Sequence, residues 1–337
     1  MNIIAGIQMI GTQRSGSNLL RVILDQSPEI ASPHPPHILV TFMPLLDLYG
    51  PLTDNENYRC LVSDVVDYVN ANPVPWEGVS LDKEKIITAS ANYSLFEINR
   101  IIYEEAALSK NARMWCCKSM NNVYFSDELE VHGSVQKYIY LYRDGRDVAA
   151  SFKKAIVGEK HIYSIARQWK QDQEACLKLK NEIPAGRFFS LNYERLISYP
   201  EQTVKELCLF LGVDYTVNML QYHHSQTSKV TAAAGEMWKN LDRPIMHHNT
   251  GNFLKSFKEN DLEIFELVSG EMLHHLGYPQ YSSALNYDLI SPAMIELYKA
   301  ENAGLKKQSL KDANEEDLKK RRPQERLLAE IKDRVLV

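Results

Sequence analysis

The sequence predicts an α/β fold, with a single domain built on a central, mainly parallel sheet flanked by helices. The first observation is a set of short apolar runs that predict buried strands, at residues 7–10, 113–117, 135–142 and 187–191. The second is that stretches of helical periodicity separate these runs, and strands that alternate with helices pair in parallel. The third is the composition, since 337 residues with 45% hydrophobic and 24% charged side chains suffice for one large core.

Helices are predicted from apolar periodicity and from the residues that begin and end them. The first follows the first strand and ends near Asp25, and the others cover about 57–70, 94–110, 147–157, 162–182, 200–211 and 260–276. Ser94 and Glu97 form a capping box, and Gly212 and Gly277 end the last two helices. Residues 32–37 hold three prolines, which exclude a regular helix there.

The segment from Glu301 to Val337 has a different composition, because 18 of its 37 residues are charged and both signs are present. Pro323 is expected to divide it into two helical pieces. We therefore assign residues 1–285 to the main domain and residues 286–337 to a charged helical C-terminal extension. A solvated helix is the expected role of such a segment, in preference to a binding role.

Bulk properties limit the partners and the compartment. The net charge of −5 argues against a general nucleic-acid binder. Five cysteines form neither a disulfide framework nor a paired zinc pattern, which favours a reducing compartment. No signal peptide is expected, and no apolar run approaches the length of a membrane span. The sequence thus predicts a cytoplasmic protein that has no membrane span, whose partner is a small molecule and not nucleic acid, and it leaves a homo-oligomer open.

The turn that joins the first strand to the first helix predicts an anion site. Gly16 lets the backbone approach a ligand closely, and the free N–H groups at the start of the helix attract negative charge. Side-chain donors are added by Thr12, Arg14, Ser15, Ser17 and Asn18. A phosphate or a sulfate would fit there, and a plain turn that binds nothing is the alternative. The Gly-Lys-Ser/Thr pattern of ordinary ATPases is missing.

A second anion motif follows the third predicted strand. Arg143 leaves the end of this strand, and Ser151 lies eight residues later, about two turns into the next helix. An arginine and a hydroxyl at this spacing can grip one anion. A salt bridge from Arg143 to Asp144 or Asp147 is the structural alternative.

Together these stretches resemble the sulfotransferases that use 3′-phosphoadenosine 5′-phosphosulfate (PAPS). Residues 12–17 are similar to the family's 5′-phosphosulfate loop, in the form with arginine at the basic position that tyrosylprotein and several bacterial sulfotransferases have. The stretch from Arg143 to Ser151 is similar to the 3′-phosphate motif. Tyr193 falls in a segment whose tyrosine lies near the adenine, and Lys118 matches a lysine at the end of the second predicted strand. The match runs from about Ile7 to Tyr278 and implies the sulfotransferase form of the P-loop-NTPase-like fold.

The resemblance also implies the chemistry. PAPS would be the co-substrate and 3′-phosphoadenosine 5′-phosphate (PAP) the product, with no metal required. Arg14 and Lys118 would hold the sulfuryl and bridging oxygens, since positioning and electrostatics supply most of the catalysis in such transfers. The histidine that the eukaryotic cytosolic branch carries shortly after its lysine is absent here. In the loop after the first helix, His37 falls on the histidine of a Glu-Leu-His-Leu-Leu segment of some bacterial members, so His37 is the expected base and His34 the second candidate.

Only the composition of the sequence bears on the nature of the acceptor. The region from Ile38 to Lys110 is rich in large apolar residues and suggests a pocket for a sterol, a lipid or a phenolic alcohol, although these residues can equally be core. Two other functions are weighed against sulfuryl transfer. A phosphate-binding kinase or NTPase is disfavoured by the missing lysine motif, and a catalytically silent nucleotide-binding scaffold is disfavoured by Lys118.

Overall fold

The computed structural model describes residues 4–258, 260–283 and 285–334. Its sheet consists of β1 (Ala5–Ile10), β2 (Ile30–Ala31), β3 (Met114–Cys117), β4 (Lys137–Tyr142) and β5 (Phe188–Asn192). The strand order is β2-β3-β1-β4-β5, and every neighbouring pair is parallel. The prediction of a mainly parallel sheet is therefore confirmed, and the short strand β2 is the one that apolar periodicity missed.

Helices cover both faces of this sheet. They are α1 (Ser17–Leu24), α2 (Ile38–Phe42), α3 (Asn55–Asn70), α4 (Lys83–Ala89), α5 (Leu95–Ser109), α6 (Ser126–Val131), α7 (Gly145–Phe152), α8 (Ile162–Glu182), α9 (Tyr193–Ser198), α10 (Pro200–Leu211), α11 (Gln226–Ala233), α12 (Phe253–Ser256), α13 (Asp261–His275), α14 (Pro292–Lys311) and α15 (Glu315–Asp333). Within the described ranges, no helix has both the length and the apolar character that crossing a membrane requires.

The two faces of the sheet pack into two different parts of the core. In β4, Tyr138 and Tyr140 point to the side of α3 and α5, whereas Ile139 and Leu141 point to the side of α1 and α10. This alternation follows from the period of two along a strand. Because both faces are covered by helices, the strands are mostly apolar, and Gln8 in β1 is a buried polar exception.

The strand order creates a crevice at one edge of the sheet. β1 lies between β3 and β4, so the chain leaves β1 toward one side and later returns on the other. Ligands of such sheets bind outside the carboxyl ends of the strands at the point where the order reverses. The loops after β1, β3, β4 and β5 therefore meet at one edge, as the sequence predicts.

The helix after β4 is shorter than predicted, since α7 ends at Phe152 and not near residue 157. The buried ammonium group of Lys160 donates hydrogen bonds to the carbonyls of Phe152 (3.0 Å) and Val157 (2.7 Å). A helix leaves its last carbonyls without partners, and a cation at this end satisfies them and favours the helix dipole. Gly158, at φ 77°, completes the turn.

The prediction that Pro323 divides the C-terminal extension is wrong. Pro323 lies inside α15, and the break between the helices falls at Asp312–Asn314, where the Asn314 side chain caps α15 by accepting a hydrogen bond from the Glu316 N–H. The extension is also packed more closely than a solvated helix would be. Ile331 is buried in the core, and Arg334 forms a bidentate pair with the buried carboxylate of Asp64.

Candidate functional site

The turn between β1 and α1 has a backbone that only particular residues tolerate. Arg14 and Gly16 have φ angles of 72° and 90°, in the left-handed region. A Cβ atom on Gly16 would lie 2.4 Å from Cδ2 of Tyr193. Glycine at this position thus allows both the backbone conformation and the close approach of the tyrosine ring.

The two predicted anion motifs are in direct contact. The Arg14 Nε donates a hydrogen bond to the Ser151 Oγ at 3.0 Å, although the two residues are 137 positions apart in the chain. Arg143 donates from Nη1 to the Arg14 carbonyl at 3.3 Å. The ends of β1 and β4 therefore bring two guanidinium groups and a hydroxyl together, which is the donor set that phosphate or sulfate groups need.

Tyr193 and Asn249 complete the surroundings of Arg143. The Arg143 guanidinium lies 4.3 Å from the centre of the Tyr193 ring and donates to the Asn249 carbonyl at 2.8 Å. The Asn249 side chain donates to the Tyr193 hydroxyl at 2.8 Å. Asp147 accepts from the backbone N–H groups of Gly251 (2.8 Å) and Phe253 (3.1 Å), which holds the loop of Asn249 against α7.

The sequence did not predict Asn249 and Asp147 as residues that build the site, for two different reasons. Asn249 lies in a loop without periodicity, 106 positions after Arg143, and nothing in its neighbours marks it. Asp147 was noted only as a salt-bridge partner of Arg143. That pair exists at 3.5 Å, but the shorter bonds of Asp147 go to the loop. The sequence signal for Asp147 is the i,i+4 spacing of an arginine and an aspartate at the start of a helix.

Two cavities adjoin these residues. The smaller one has a volume of about 350 Å³ and extends from the β1–α1 turn, with Ser17 and Asn18, past Arg143 to Tyr193. The larger one has a volume of about 1160 Å³ and lies between the end of α7 and the extension helix α14. Arg14 and Ser151 line both, so they stand at the junction of the two cavities.

The remaining residues of the turn take different positions. Thr12 is buried, and its Oγ1 accepts a hydrogen bond from Gln173 at 2.7 Å, so this hydroxyl faces α8 and not the smaller cavity. In contrast, the Ser15 hydroxyl and the Asn18 Oδ1 are buried and have no hydrogen-bond partner among the described residues. Buried polar atoms of this kind are normally satisfied, so they indicate a ligand or water at the turn.

Lys118 lies at the end of β3, where β3 pairs with β1, and is 6% exposed. Gln8 holds this strand end, because its amide donates to the carbonyls of Cys117 (3.0 Å) and Ser119 (3.1 Å). Burial, together with the charges of Arg21 and Arg14, lowers the pKa of Lys118 to about 7. The ammonium group is therefore held in a region that already carries positive charge.

Arg21 is a further residue of the site that the sequence did not predict. It lies on α1 among buried apolar residues and donates to the Ser32 carbonyl (3.1 Å) and the Thr231 hydroxyl (2.8 Å). Burial is the largest cause that lowers its pKa, to about 10. The sequence signal for Arg21 is its position on the apolar face of a predicted helix. Together with Lys118 and the partly buried Arg14 it forms a group of cations that an anion would stabilise.

The two candidate bases have different surroundings. His37 is partly exposed and begins α2 with φ 62°. Burial and the charge of Lys118 lower its pKa to about 3, so the imidazole is neutral at pH 7. His34 is 6% exposed, and Trp238 packs edge-on against it with ring centres 4.8 Å apart. Neither ring nitrogen of His34 has a partner among the described residues, and burial lowers its pKa as well.

The fold and the site define an α/β protein in which two anion motifs meet at the carboxyl edge of a parallel sheet. The sequence model of the Sulfotransferase family matches residues 6–217, more than half of the chain. The chain belongs to this family and is an enzyme of the sulfotransferase class. The match reaches from β1 to β5 and includes both anion motifs, whereas Asn249 lies outside it.

Individual relatives match the chain at low sequence identity. The chain is 24% identical over 83% of its length to a putative protein-tyrosine sulfotransferase of Caenorhabditis briggsae (91% of that protein), and 22% identical over 85% to protein-tyrosine sulfotransferase 2 of Gallus gallus (72% of that protein). An uncharacterized protein of Aquifex aeolicus is 22% identical over 54% of the chain, which spans only 24% of that protein's length.

One solved structure shows the fold. The sulfotransferase domain of the Synechococcus PCC 7002 olefin synthase superposes with a TM-score of 0.53 at 20% identity, covering 78% of this chain and 93% of that domain. The predicted sulfotransferase form of the P-loop-like fold is therefore confirmed.

Proposed function

We propose that this protein transfers the sulfuryl group of PAPS to a hydroxyl of a small-molecule acceptor by in-line displacement. The contact between Arg14 and Ser151 carries the proposal. It joins the predicted 5′-phosphosulfate loop to the predicted 3′-phosphate motif, and a nucleotide with anionic groups at both positions would use both at once. A nucleotide with a single phosphate chain has no group for the second motif.

The smaller cavity would take the nucleotide. The β1–α1 turn, with its free N–H groups and the unpartnered Ser15 hydroxyl, would bind the 5′-phosphate. Arg143 and Ser151 would bind the 3′-phosphate, and Tyr193 lies where a base or ribose could pack on its ring. Displacement of the Arg14 side chain from Ser151 would free both groups for the ligand.

The transfer breaks the bond from sulfur to the phosphate oxygen and forms a bond from sulfur to the acceptor oxygen. Lys118 and Arg14 would supply positive charge to the sulfuryl and bridging oxygens, the role that metal ions share in many phosphoryl transfers. The neutral imidazole of His37 would accept the proton that leaves the acceptor hydroxyl. The 5′-phosphate leaves on PAP as an anion, next to the same cations.

The acceptor would have to reach Lys118 and His37, and neither of these residues lines the larger cavity. The apolar residues between 38 and 110 that suggested a sterol, lipid or phenol pocket are for the most part in the core. Leu61, Val62, Val65, Val66 and Val69, for example, pack in the cluster on one face of the sheet. These residues therefore give no support to a sterol, lipid or phenolic acceptor.

A cytoplasmic location is part of the proposal. All five cysteines are free thiols, and four of them are buried, which suits a reducing compartment.

Transfer of labelled sulfate from PAPS to a panel of hydroxyl compounds tests the proposal. Lys118→Ala should abolish the transfer, whereas Lys180→Ala, on the exposed surface of α8, should leave it unchanged. The proposal fails if the wild-type protein binds PAP but catalyses no transfer to any acceptor class, which would favour a silent scaffold, or if it transfers phosphate from ATP.

A further inference from the structure

The smaller cavity has one side that the anion motifs do not form. A segment that follows α11, which we call the wall segment (residues 236–246), begins with the 3-10 helix Glu236–Asp242. Its apolar side chains at the cavity include those of Met237, Trp238, Leu241 and Ile245. The wall segment and α15 both lie outside residues 6–217, the part of the chain that the family model matches. Membership of the family therefore assigns no role to either of them.

The helix α15 of the C-terminal extension holds the start of the wall segment. Asp317 accepts a hydrogen bond from the Glu236 N–H at 2.8 Å. Arg321 donates from Nη2 to the sulfur of Met237 at 3.3 Å. Because Asp317 and Arg321 are four positions apart, they share one face of α15, and this face lies against the wall segment.

Arg321 also packs on a side chain that lines the cavity. Its guanidinium lies 5.3 Å from the centre of the Trp238 ring, which is within the range of a cation–π interaction. The same ring packs edge-on against His34 and is 8% exposed. Arg321 is not among the residues that line the smaller cavity, so it can affect a ligand there only through residues such as Trp238 and Met237.

The remainder of α15 is fixed to the main domain. Gln324 donates to the Tyr68 carbonyl at 3.0 Å, and Arg334 donates to both carboxylate oxygens of Asp64 at 2.8 and 3.1 Å. Tyr68 and Asp64 belong to α3, so α15 links this helix to the wall segment. A binding surface that is held in place before its ligand arrives loses less conformational entropy on binding, which increases the affinity.

We propose that Arg321 is a positioning residue for nucleotide binding, which holds Trp238 and the wall segment against the nucleotide in the smaller cavity. This inference rests on the proposed function, in which that nucleotide is PAPS. Arg321 then contributes to the affinity for the nucleotide and not to the transfer step, because it lies outside the cavity and acts through its neighbours. The C-terminal extension is in this way part of the donor site, whereas its composition predicts only a solvated helix.

Arg321→Ala tests the inference. It should raise the Kd of PAP and the KM for PAPS by a similar factor of about 5-fold or more, the effect of losing a partly desolvated cation–π contact. The kcat should stay within about 2-fold of the wild-type value, because a loss of uniform binding changes KM alone. Calorimetric titration gives the Kd, and initial rates with labelled PAPS and an acceptor from the panel above give the other two constants.

A purely structural role of Arg321 would give a different result. The Tm would fall while the Kd of PAP and the KM for PAPS stayed at the wild-type values, and this outcome would overturn the inference. A loss in kcat alone would overturn it as well. Arg321→Gln, which is also neutral, should weaken PAP binding like the alanine variant and remains informative if Arg321→Ala does not fold.

Two other arginines of α15 are matched controls. Arg322 is exposed and pairs with Glu315, so Arg322→Ala should change neither stability nor binding. Arg334→Ala removes the pair with Asp64 and should lower the Tm without changing the Kd of PAP, since the buried Ile331 still fixes the helix. If Arg334→Ala weakened PAP binding as much as Arg321→Ala does, the specific role of Arg321 would be refuted.

A double-mutant cycle tests whether Arg321 acts through Trp238. Trp238→Leu should weaken PAP binding by itself, because the ring lines the cavity. In this background Arg321→Ala should cause little further loss, since the contact between the two side chains is already gone. Losses that add up fully would show that Arg321 does not act through Trp238 and would overturn the inference.

The wild-type protein separates the two proposals. If it binds PAP and transfers sulfate while Arg321→Ala keeps the wild-type Kd, then the positioning role alone is refuted. If the wild-type protein does not bind PAP, then the proposed function is refuted, and the positioning role with it.

Discussion

The Arg143 guanidinium lies 4.3 Å from the centre of the Tyr193 ring and so joins the loop after β4 to the start of α9. The same group donates to the carbonyls of Arg14 and Asn249. One side chain therefore organises three loops around the smaller cavity while its charge faces that cavity. The binding of two nucleotides separates the effect of Arg143 on the anion from its effect on the loops.

Arg143→Ala should weaken the binding of PAP by about 1.5 to 3 kcal/mol, the usual contribution of hydrogen bonds to a charged group. The affinity for adenosine 5′-phosphosulfate, which has no 3′-phosphate, should change little. Calorimetric titration measures both, and Ser151→Ala should give the same pattern with a smaller loss. Equal losses for the two nucleotides would mean that Arg143 acts only through the loops that it holds.

Gly16→Ala should destabilise the fold by more than Gly78→Ala. Both glycines have left-handed φ angles, of 90° and 74°, and alanine there costs about 1 to 2 kcal/mol. A Cβ at residue 16 also meets the Tyr193 ring, whereas nothing lies within 4 Å of a Cβ at residue 78. Urea unfolding of the two variants measures the difference, and similar midpoints would show that the tyrosine ring moves away freely.

The arrangement of the donor site could be predicted because it depends on local sequence signals. Apolar runs gave the strands, and the rule for parallel sheets then placed Arg14, Lys118, Arg143 and Tyr193 at the same edge. The structure brings Arg14, Arg143, Ser151 and Tyr193 together, as expected. Thr12 is the exception, since its hydroxyl bonds to α8, and no local signal distinguishes a hydroxyl that faces inward.

Long-range contacts could not be predicted in the same way. Asn249 reaches Arg143 across 106 positions, and Arg334 reaches Asp64 across 270. Such pairs depend on the tertiary fold and leave no periodicity in the sequence. The early end of α7 has the same origin, because Lys160 satisfies the helix carbonyls from outside the helix. The prediction of a helix break at Pro323 is wrong because a proline removes one backbone hydrogen bond without always ending a helix.

The pH profile should report on Lys118. The pKa of this group is lowered to about 7, and its proposed role at the leaving phosphate requires the protonated form, so kcat/KM should fall as the pH rises through about 7. Bound PAPS adds negative charge and raises this pKa, so kcat should fall only at higher pH. Lys118→Arg keeps its proton in this range and should remove the fall near 7. A profile that is unchanged in Lys118→Arg would exclude Lys118 as the titrating group.

His37→Ala should lower kcat by about 10²- to 10⁴-fold, the range of general-base catalysis, with PAP affinity nearly unchanged. The pKa of His37 is lowered to about 3, so no rise of activity near pH 6.5 is expected from this residue. His34→Ala is the control in the same loop. Its side chain packs on Trp238, so this variant should lose stability while keeping most of its turnover. The reverse pattern would assign the base to His34.

Ile331→Ala should destabilise the whole protein by about 2 to 5 kcal/mol, although this residue lies near the end of the C-terminal extension. Its side chain is 2% exposed and belongs to the same core cluster as α3. Urea unfolding followed by tryptophan fluorescence measures the loss, and Leu310→Ala, on the exposed surface of α14, is the matched control. If both variants unfold at the wild-type midpoint, then the extension does not contribute to the core.

Thermal unfolding in the presence of three nucleotides tests the central claim most directly. PAP, ATP with magnesium, and AMP are each added to the wild-type protein. A ligand at 100 times its Kd stabilises the native state by about 2.7 kcal/mol, so PAP alone should raise the Tm by several degrees. A comparable shift with AMP would mean that the 3′-phosphate is not recognised at Arg143 and Ser151, and a shift with ATP and magnesium but not with PAP would contradict PAPS as the donor.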